Sequence, residues 1–200
     1  MNEELIAVLK KKIGTVLTWQ DAADIYVQAT RVSVLVPQSV IKQIEPQQCG
    51  DFTFARERME DIIGEMKPLH EAHWNETETE RHGLELNPDY ETFIRYERAG
   101  RYILFTLRDA AGVLVGNCAM YLDTSTHTQT LLATEDTLFL LPEARKGRTA
   151  MHFVSFIERS LHQLGAKEIH ITVKKVNKAE KFFRFLGYVH AENGFLKMLG

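Results

Sequence analysis

The sequence has too few cysteines for a disulfide framework, since Cys49 and Cys118 are the only two and lie far apart. We expect a protein of the reduced cytoplasm in which both cysteines fill small apolar spaces. No apolar run approaches the roughly 20 residues of a membrane span. The first residues, MNEELIAVLKKK, lack the apolar core of a signal peptide. The sequence therefore predicts no membrane partner.

An excess of positive charge is also missing. The 24 Lys and Arg residues are outnumbered by 27 Asp and Glu residues, which gives a net charge of −3. This balance does not favour a general nucleic-acid-binding surface. Repeats and low-complexity tracts are absent, and 44% of the residues are hydrophobic. The composition is that of a globular protein with a full core.

Residues 1–50 differ from the rest of the chain. They carry apolar residues at helical spacing, with Thr18 as the N-cap of one helix. Turn-forming residues then mark a boundary: Pro37, Pro46 and Gly50. We predict a helical N-terminal extension over residues 1–50 and a main domain over residues 51–200.

The extension ends in an apolar run that contains Val32, Val34, Leu35 and Val36. Burying each such side chain is worth about 1.5–3 kcal/mol. The run is therefore expected to pack on the main domain, on a second copy of the chain or on another protein. Because symmetric dimers are the commonest oligomers, we predict a homodimer with the extension at its interface.

The main domain alternates between strand and helix patterns. Strands are predicted for FTFARER, RYILFTLRD, VLVGNCAMYLD, QTLLATEDTLFLL and KEIHITV. Helices are predicted for MEDIIGEMKPLHEAHWNETETER, with a kink or break at Pro68, for NPDYETFIRYERAG and for NKAEKFFRFLG. YVHAENGFLKML is predicted to close the chain as a hairpin on an Asn-Gly turn. The fold class is α/β, with a mixed, mostly antiparallel sheet, helices on both faces and one βαβ crossover.

A basic turn joins the apolar run Leu138–Leu141 to a long helical pattern. Pro142 ends the strand, because proline cannot donate to a sheet ladder. The turn consists of Arg145, Lys146, Gly147, Arg148 and Thr149. Cations are unfavourable at a helix N-terminus, because the helix dipole is already positive there. A bound anion would remove this cost, so the turn fits a phosphate site. An ordinary turn with solvated basic side chains is the alternative.

The second half of the chain resembles the GNAT superfamily of acetyl-CoA-dependent N-acyltransferases. LFLLPEARKGRTA is similar to the family's fourth strand and pyrophosphate loop, and GAKEIHITVKKVNKAEKFFRFLGY to its fifth strand and following helix. The resemblance runs from Arg101 to the C-terminus and weakly back to Asp51, and it is greatest to members encoded by bacteriophages. It implies an N-terminal extension followed by a GNAT domain.

The resemblance also implies a cofactor site for acetyl-CoA. The pantetheine arm would bond the backbone near Leu138 and Leu140, and the pyrophosphate would sit on the turn from Arg145 to Ala150. The residues implied in cofactor binding are Leu138, Leu140, Arg145, Lys146, Gly147, Arg148, Thr149, Ala150, Asn177 and Phe183. Phe183 occupies the position where many members have the tyrosine that reprotonates the leaving thiolate, and it has no proton to give.

Glu135 and Asp136 precede this cofactor segment on the same strand and are the predicted catalytic residues. Acetyl transfer to an amine needs a base, and a carboxylate in a half-buried strand is costly without a role or a partner. Strand alternation would direct one of them to the cleft and the other away from it. A solvated strand end is the alternative.

Acceptor contacts are predicted for His73, Trp74 and Glu76 in the first long helix and for His127 in the loop before the strand. Core packing of Trp74 and simple exposure of His127 are the alternatives. No metal is expected, because His70 and His73 lack a third ligand at a recognised spacing. We predict an N-acetyltransferase that acts on an unidentified amine. A catalytically inactive GNAT-like protein that binds CoA or a host or virion protein, and an unrelated phosphate binder, are the alternatives.

Overall fold

A computed structural model describes residues 9–22, 25, 34–78, 83–177, 179–197 and 199 of the chain. The helices of the main body are α1 (Gln38–Ile41), α2 (Met59–Thr77), α3 (Tyr90–Arg98), α4 (Thr149–Gln163) and α5 (Ala179–Phe185). The strands are β1 (Gln47–Cys49), β2 (Phe52–Glu57), β3 (Tyr102–Arg108), β4 (Leu114–Thr124), β5 (Leu131–Leu140) and β6 (Glu168–His170). None of the described helices has the length and apolar character that a membrane crossing requires.

The strands form one six-stranded sheet in chain order, from β1 to β6. Strands β1 to β5 are antiparallel to their neighbours, and β6 pairs in parallel with β5 after the crossover through α4. The mostly antiparallel sheet with a βαβ unit is thus confirmed. A β-bulge lies beside Gly116, because the register shifts between the pair Leu107–Gly116 and the pair Arg108–Leu114.

Helices cover both faces of the sheet. On one face α4 packs its apolar stripe on the strands, with the ring of Phe153 5.4 Å from that of Phe54 and the ring of Phe156 5.9 Å from that of Phe105. On the other face α2 and α3 bury a second cluster that includes Met59, Met66, Tyr102 and Leu104. The sheet therefore separates two apolar layers, as the alternating strand patterns require.

Apolar side chains of the segment 35–49 belong to this packed core, whereas Val34 is exposed. Val36 and Ile41 are buried in the same cluster as α4, and β1 extends the sheet beyond β2. The predicted division at residue 50 and the homodimer stay predictions. Val32, part of the apolar run on which the dimer prediction rests, lies outside the described residues.

Two local predictions differ from the structure. Helix α2 is not broken at Pro68, because its non-helical dihedral angles fall at Ile62, more than one turn earlier. The prediction of a C-terminal hairpin is wrong, because residues 188–197 form no strand and the side chains of Val189 and Phe195 are exposed. A two-residue turn signal does not form a hairpin unless the flanking strands find an apolar surface to cover.

A glycine at the end of α3 is required by a close backbone contact. Gly100 has a φ of 63°, and a Cβ atom there would lie 1.8 Å from the carbonyl oxygen of Val36. We expect Gly100→Ala to lower the free energy of unfolding by about 2 kcal/mol or more, because strain and a backbone clash add together. Denaturant unfolding measures the change.

Gly112→Ala is the matched control, because Gly112 also has a positive φ (82°) but a Cβ atom there meets nothing within 4 Å. This variant should lose only about 1 kcal/mol. Equal losses in the two variants would show that the contact with Val36 contributes nothing.

Candidate active site

A β-bulge in the middle of β5 holds the two predicted carboxylates. Met120 on β4 pairs with Glu135 and Ala119 pairs with Thr137, which leaves Asp136 as the extra residue between them. A bulge interrupts the alternation of side chains along a strand. The alternation that we expected from the sequence therefore does not hold here. The direction of each carboxylate depends instead on the group that binds it.

Strands β5 and β6 separate beside this bulge. They pair only through Leu132–Thr134 and Glu168–His170, and no described strand pairs with the segment 135–140 on that side. At the point of separation the backbone N–H of Thr172 donates to Glu135 Oε2 over 3.2 Å. The backbone edge of β5 that contains Leu138 and Leu140 therefore pairs with no described strand, and we call the gap between this edge and the segment that follows β6 the cleft.

Glu135 is half-buried beside this gap. Burial raises the pKa of Glu135 to about 7, above its ordinary value of 4.5. The Thr172 N–H and the charge of Lys174 oppose this rise, whereas Asp136 adds to it. Glu135 therefore exchanges a proton near neutral pH, which is the property of an effective general base.

Asp136 has a different partner on the face covered by α2 and α3. The hydroxyl of Tyr102 donates to Asp136 Oδ2 over 2.8 Å. Burial raises the pKa of Asp136, and this hydrogen bond opposes the rise. The two adjacent carboxylates are thus held by different groups, one beside the gap between the strands and one under the helices.

The basic turn after β5 leaves hydrogen-bond donors free at the start of α4. The first N–H groups of a helix have no intrahelical acceptor, and the side chain of Arg148 does not cap them. The Thr149 N–H makes only a long contact, 3.5 Å, with the carbonyl of Lys146. Gly147 has a φ of 62° and is exposed, as are Lys146 and Arg148. Neither Lys146 nor Arg148 forms an ion pair with a described residue. Thr149 and Ala150 begin the helix, so this end presents both N–H groups and cations to an anion.

Arg145 differs from the other two cations of the turn because its guanidinium group is already held. Its Nε donates to the carbonyl of Leu140 over 2.7 Å, and its Nη2 pairs with Glu76 Oε2 at 2.8 Å. The guanidinium carbon lies 5.1 Å from the ring centre of Phe139. Arg145 thus ties the turn to the end of α2.

The C-terminal end of α2 contacts both sides of the cleft. Glu76 pairs with Arg145 on the β5 side, and Glu78 pairs with Lys174 at 2.7 Å on the side of β6. Between them His73 stacks on Phe139 with ring centres 5.2 Å apart. Burial lowers the pKa of His73, which keeps the imidazole neutral near pH 7. The structure therefore brings His73 and Glu76 to the cleft.

Two of the predicted acceptor contacts lie elsewhere. Trp74 lines an open cavity of about 650 Å³ between α2 and the segment 84–88, together with Tyr90. His127 is exposed in the turn before Leu131, and Glu135 lies four residue steps further along the strand, about 13 Å from Leu131. His127 is therefore not brought together with the carboxylates.

The two predicted cofactor contacts near α5 both have partners within the protein. Asn177 Oδ1 accepts from the backbone N–H of Ala179 over 3.3 Å, which is the geometry of a helix cap. Phe183 is buried, with its ring 5.2 Å from that of Tyr188. These contacts give both residues a structural role, and their predicted contact with a cofactor stays a prediction.

Three residues of the site were missed from the sequence: Tyr102, Thr172 and Lys174. Tyr102 lies more than thirty residues before Asp136, and only strand pairing through β4 brings them together. Thr172 acts through its backbone, which carries no sequence signal. Among the described residues no group of three or more His, Cys, Asp or Glu side chains could hold a metal ion.

Comparisons with known proteins identify the fold. The sequence matches no protein-family model, and no curated protein matches it. An aminoglycoside acetyltransferase from an uncultured soil metagenomic sample, solved with sisomicin, has a TM-score of 0.57 and 15% identity over 75% of this chain and 95% of its own. A ribosomal-protein-alanine N-acetyltransferase from Brucella melitensis has a TM-score of 0.58 and 13% identity, over 74% of this chain and 99% of its own.

A glucosamine-6-phosphate N-acetyltransferase from Arabidopsis thaliana has a TM-score of 0.57 and 8% identity over 74% of this chain and 99% of its own. These identities show a shared fold and not a shared reaction. The chain has the fold of the GNAT acetyltransferases, which confirms the fold prediction.

The buried carboxylate predicts how stability depends on pH. Because the pKa of Glu135 is raised from 4.5 to about 7 on folding, its ionisation opposes folding. This destabilisation is absent below pH 4.5, grows as the pH rises and is complete above pH 7, where it reaches about 3 kcal/mol. We therefore expect Glu135→Gln to become more stable relative to the wild type as the pH rises from 4.5 to 7.

Urea unfolding at several pH values measures this difference. Glu192→Gln, at an exposed position, is the control for removal of a carboxylate. A Glu135→Gln curve that runs parallel to the wild-type curve would show that Glu135 keeps its ordinary pKa.

Proposed function

We propose that the protein is an N-acetyltransferase that moves an acetyl group from acetyl-CoA directly to an amine in a ternary complex. One observation carries the proposal: an anion-binding helix start lies next to an unpaired strand edge, on an acetyltransferase fold. The helix start is that of α4, with Lys146 and Arg148, which form no ion pair with a described residue, and the edge is that of β5.

The donor would bind along β5 and the turn. Backbone groups of Leu138 and the N–H of Leu140 would meet the amide groups of a pantetheine arm, because no described strand pairs with that edge. The carbonyl of Leu140 already accepts from Arg145. Lys146 and Arg148 fit the phosphates, together with the N–H groups from Gly147 to Ala150. When bound, acetyl-CoA supplies the thioester whose acetyl group is transferred.

Glu135 is the proposed general base. An amine attacks a thioester only as the neutral form, so the proton it carries must leave before or during attack. With a pKa of about 7, Glu135 is substantially ionised at neutral pH and accepts that proton directly or through water. The new C–N bond forms as the C–S bond breaks, the electron pair leaves on the sulfur, and the nitrogen loses its second proton to water.

The thiolate then takes a proton from water in this proposal. Phe183 has no acidic proton, and the neighbouring Tyr188 is engaged with Glu158 on α4. Burial and Glu158 both raise the pKa of Tyr188, which makes its hydroxyl a poorer acid. Solvent at the open mouth of the cleft is therefore the proposed source.

The acceptor would approach from the side of α2, where His73 and Glu76 border the cleft. The names of the similar structures refer to an aminoglycoside, a ribosomal-protein alanine and glucosamine 6-phosphate. What these acceptors share is an amine, and an amine is the acceptor class that we propose. The resemblance to bacteriophage-encoded members supports a host cytoplasmic setting.

Cofactor binding is the first test of this function. CoA and acetyl-CoA should bind and raise the melting temperature. Lys146→Ala and Arg148→Ala should each weaken binding by about 1–3 kcal/mol, because each removes a charge-assisted contact to phosphate. Isothermal calorimetry measures the affinity.

Lys167→Ala is the matched control for these variants. Lys167 is an exposed cation beyond the other end of α4, so its loss changes the net charge without touching the turn. Absence of CoA binding by the wild type at millimolar ligand would contradict the proposed function.

Turnover is the second test, with release of free thiol from acetyl-CoA measured across a panel of amines. Glu135→Gln should lower turnover by roughly 10²-fold without abolishing CoA binding. Phe183→Ala should change CoA affinity instead, since Phe183 has no role in proton transfer. Wild-type turnover by Glu135→Gln would show that the base is another group, and CoA binding without turnover on any amine would favour the inactive alternative.

A further inference from the structure

The hydroxyl of Tyr102 is directed at the one residue that the bulge removes from the strand ladder. Tyr102 is fully buried, and its hydroxyl donates to Asp136 Oδ2 over 2.8 Å. A buried tyrosine hydroxyl needs a hydrogen-bond acceptor. If Tyr102 only filled the core, a backbone carbonyl would be a sufficient acceptor. Here the partner is a carboxylate beside the proposed base, Glu135.

The support around Tyr102 is rigid. Its ring stacks on that of Phe93, with centres 5.1 Å apart and planes 10° apart, and it meets the ring of Tyr121 edge-on at 5.0 Å. Its backbone pairs with that of Tyr121 in the β3–β4 ladder. The ring is therefore held on two sides, with its hydroxyl on Asp136 at the bulge.

The bulge makes this hydrogen bond necessary for the orientation of Asp136. A bulged residue has no opposite partner, so the sheet does not decide where its side chain points. The Tyr102 hydroxyl engages Oδ2, and no described residue donates a hydrogen bond to Oδ1. Oδ1 is thus the oxygen of Asp136 that is left for a ligand.

We infer that Tyr102 is a positioning residue that holds Asp136 so that Oδ1 receives the protonated amine of the acceptor, a role that rests on the proposed acetyl transfer. The half-buried ring of Tyr121 adjoins this position and offers a second favourable contact to a cation. The acceptor class is therefore an amine that arrives as the ammonium form. It gives its proton to Glu135 before attack.

The titration of Asp136 tests this inference without a cofactor or an acceptor. The titratable groups that face Asp136 are Tyr102 on β3, Cys118 and Tyr121 on β4 and Glu135 on β5. Because the Tyr102 hydroxyl stabilises the ionised form, Tyr102→Phe should raise the pKa of Asp136 by about one pH unit. The ¹³Cγ resonance of labelled aspartate measures that pKa.

Tyr121→Phe is the control for the pKa, because it removes a neighbouring hydroxyl that makes no hydrogen bond to Asp136 in the structure. If Tyr102→Phe does not fold, the wild type and Asp136→Asn replace it. The ¹³Cζ resonance of Tyr102 should then show a step at the pKa of Asp136 that is missing in Asp136→Asn. An unchanged pKa in Tyr102→Phe, or no such step in the wild type, overturns the inference.

Kinetics separate this inference from the proposed function. In an enzyme that binds CoA and acetylates an amine, Tyr102→Phe should lower kcat/KM for the amine about tenfold and leave the Kd of CoA unchanged. If Tyr102→Phe weakened CoA binding as much as it lowered kcat/KM for the amine, Tyr102 would have a general structural role and the inference would be overturned. Failure of the wild type to bind CoA would instead contradict the proposed function, and the titration of Asp136 would still decide whether Tyr102 orients the carboxylate.

Discussion

The hydrogen bond between the Thr172 N–H and Glu135 is the interaction on which the cleft depends. Parallel pairing of β5 and β6 would otherwise continue along both strands and bury the backbone edge that we assign to the donor. The carboxylate takes the N–H that the next ladder bond would use. A side chain thus ends the ladder, and the strands part beyond it.

Two adjacent carboxylates in a largely buried strand are expensive, because each loses hydration and each repels the other. The structure reduces this cost by giving them different partners, a backbone N–H for Glu135 and a phenol for Asp136. The result is a pKa for Glu135 near neutrality. The same burial that opposes folding therefore prepares a group for proton transfer.

Three cations in one turn serve two purposes. Arg145 is fixed by Leu140 and Glu76 and connects the turn to α2. Lys146 and Arg148 have no such ion pairs among the described residues and lie against the helix dipole, an arrangement that an anionic ligand would stabilise. The end of α2 also reaches the other side of the cleft, through the ion pair of Glu78 with Lys174.

The sequence by itself determined the order of the elements from β2 to α5, because apolar periodicity reports which face of an element is buried. It also located the carboxylates and the basic turn, because unusual charges next to an apolar strand are visible in one stretch of sequence. The partners of these groups were decided only by tertiary structure. Tyr102, Thr172 and Lys174 reach the site through sheet pairing and a crossover, and His127 is kept away from it by the length of β5. Such contacts depend on the pairing register of the strands and on a β-bulge. Neither of these features produces a periodic pattern in the sequence.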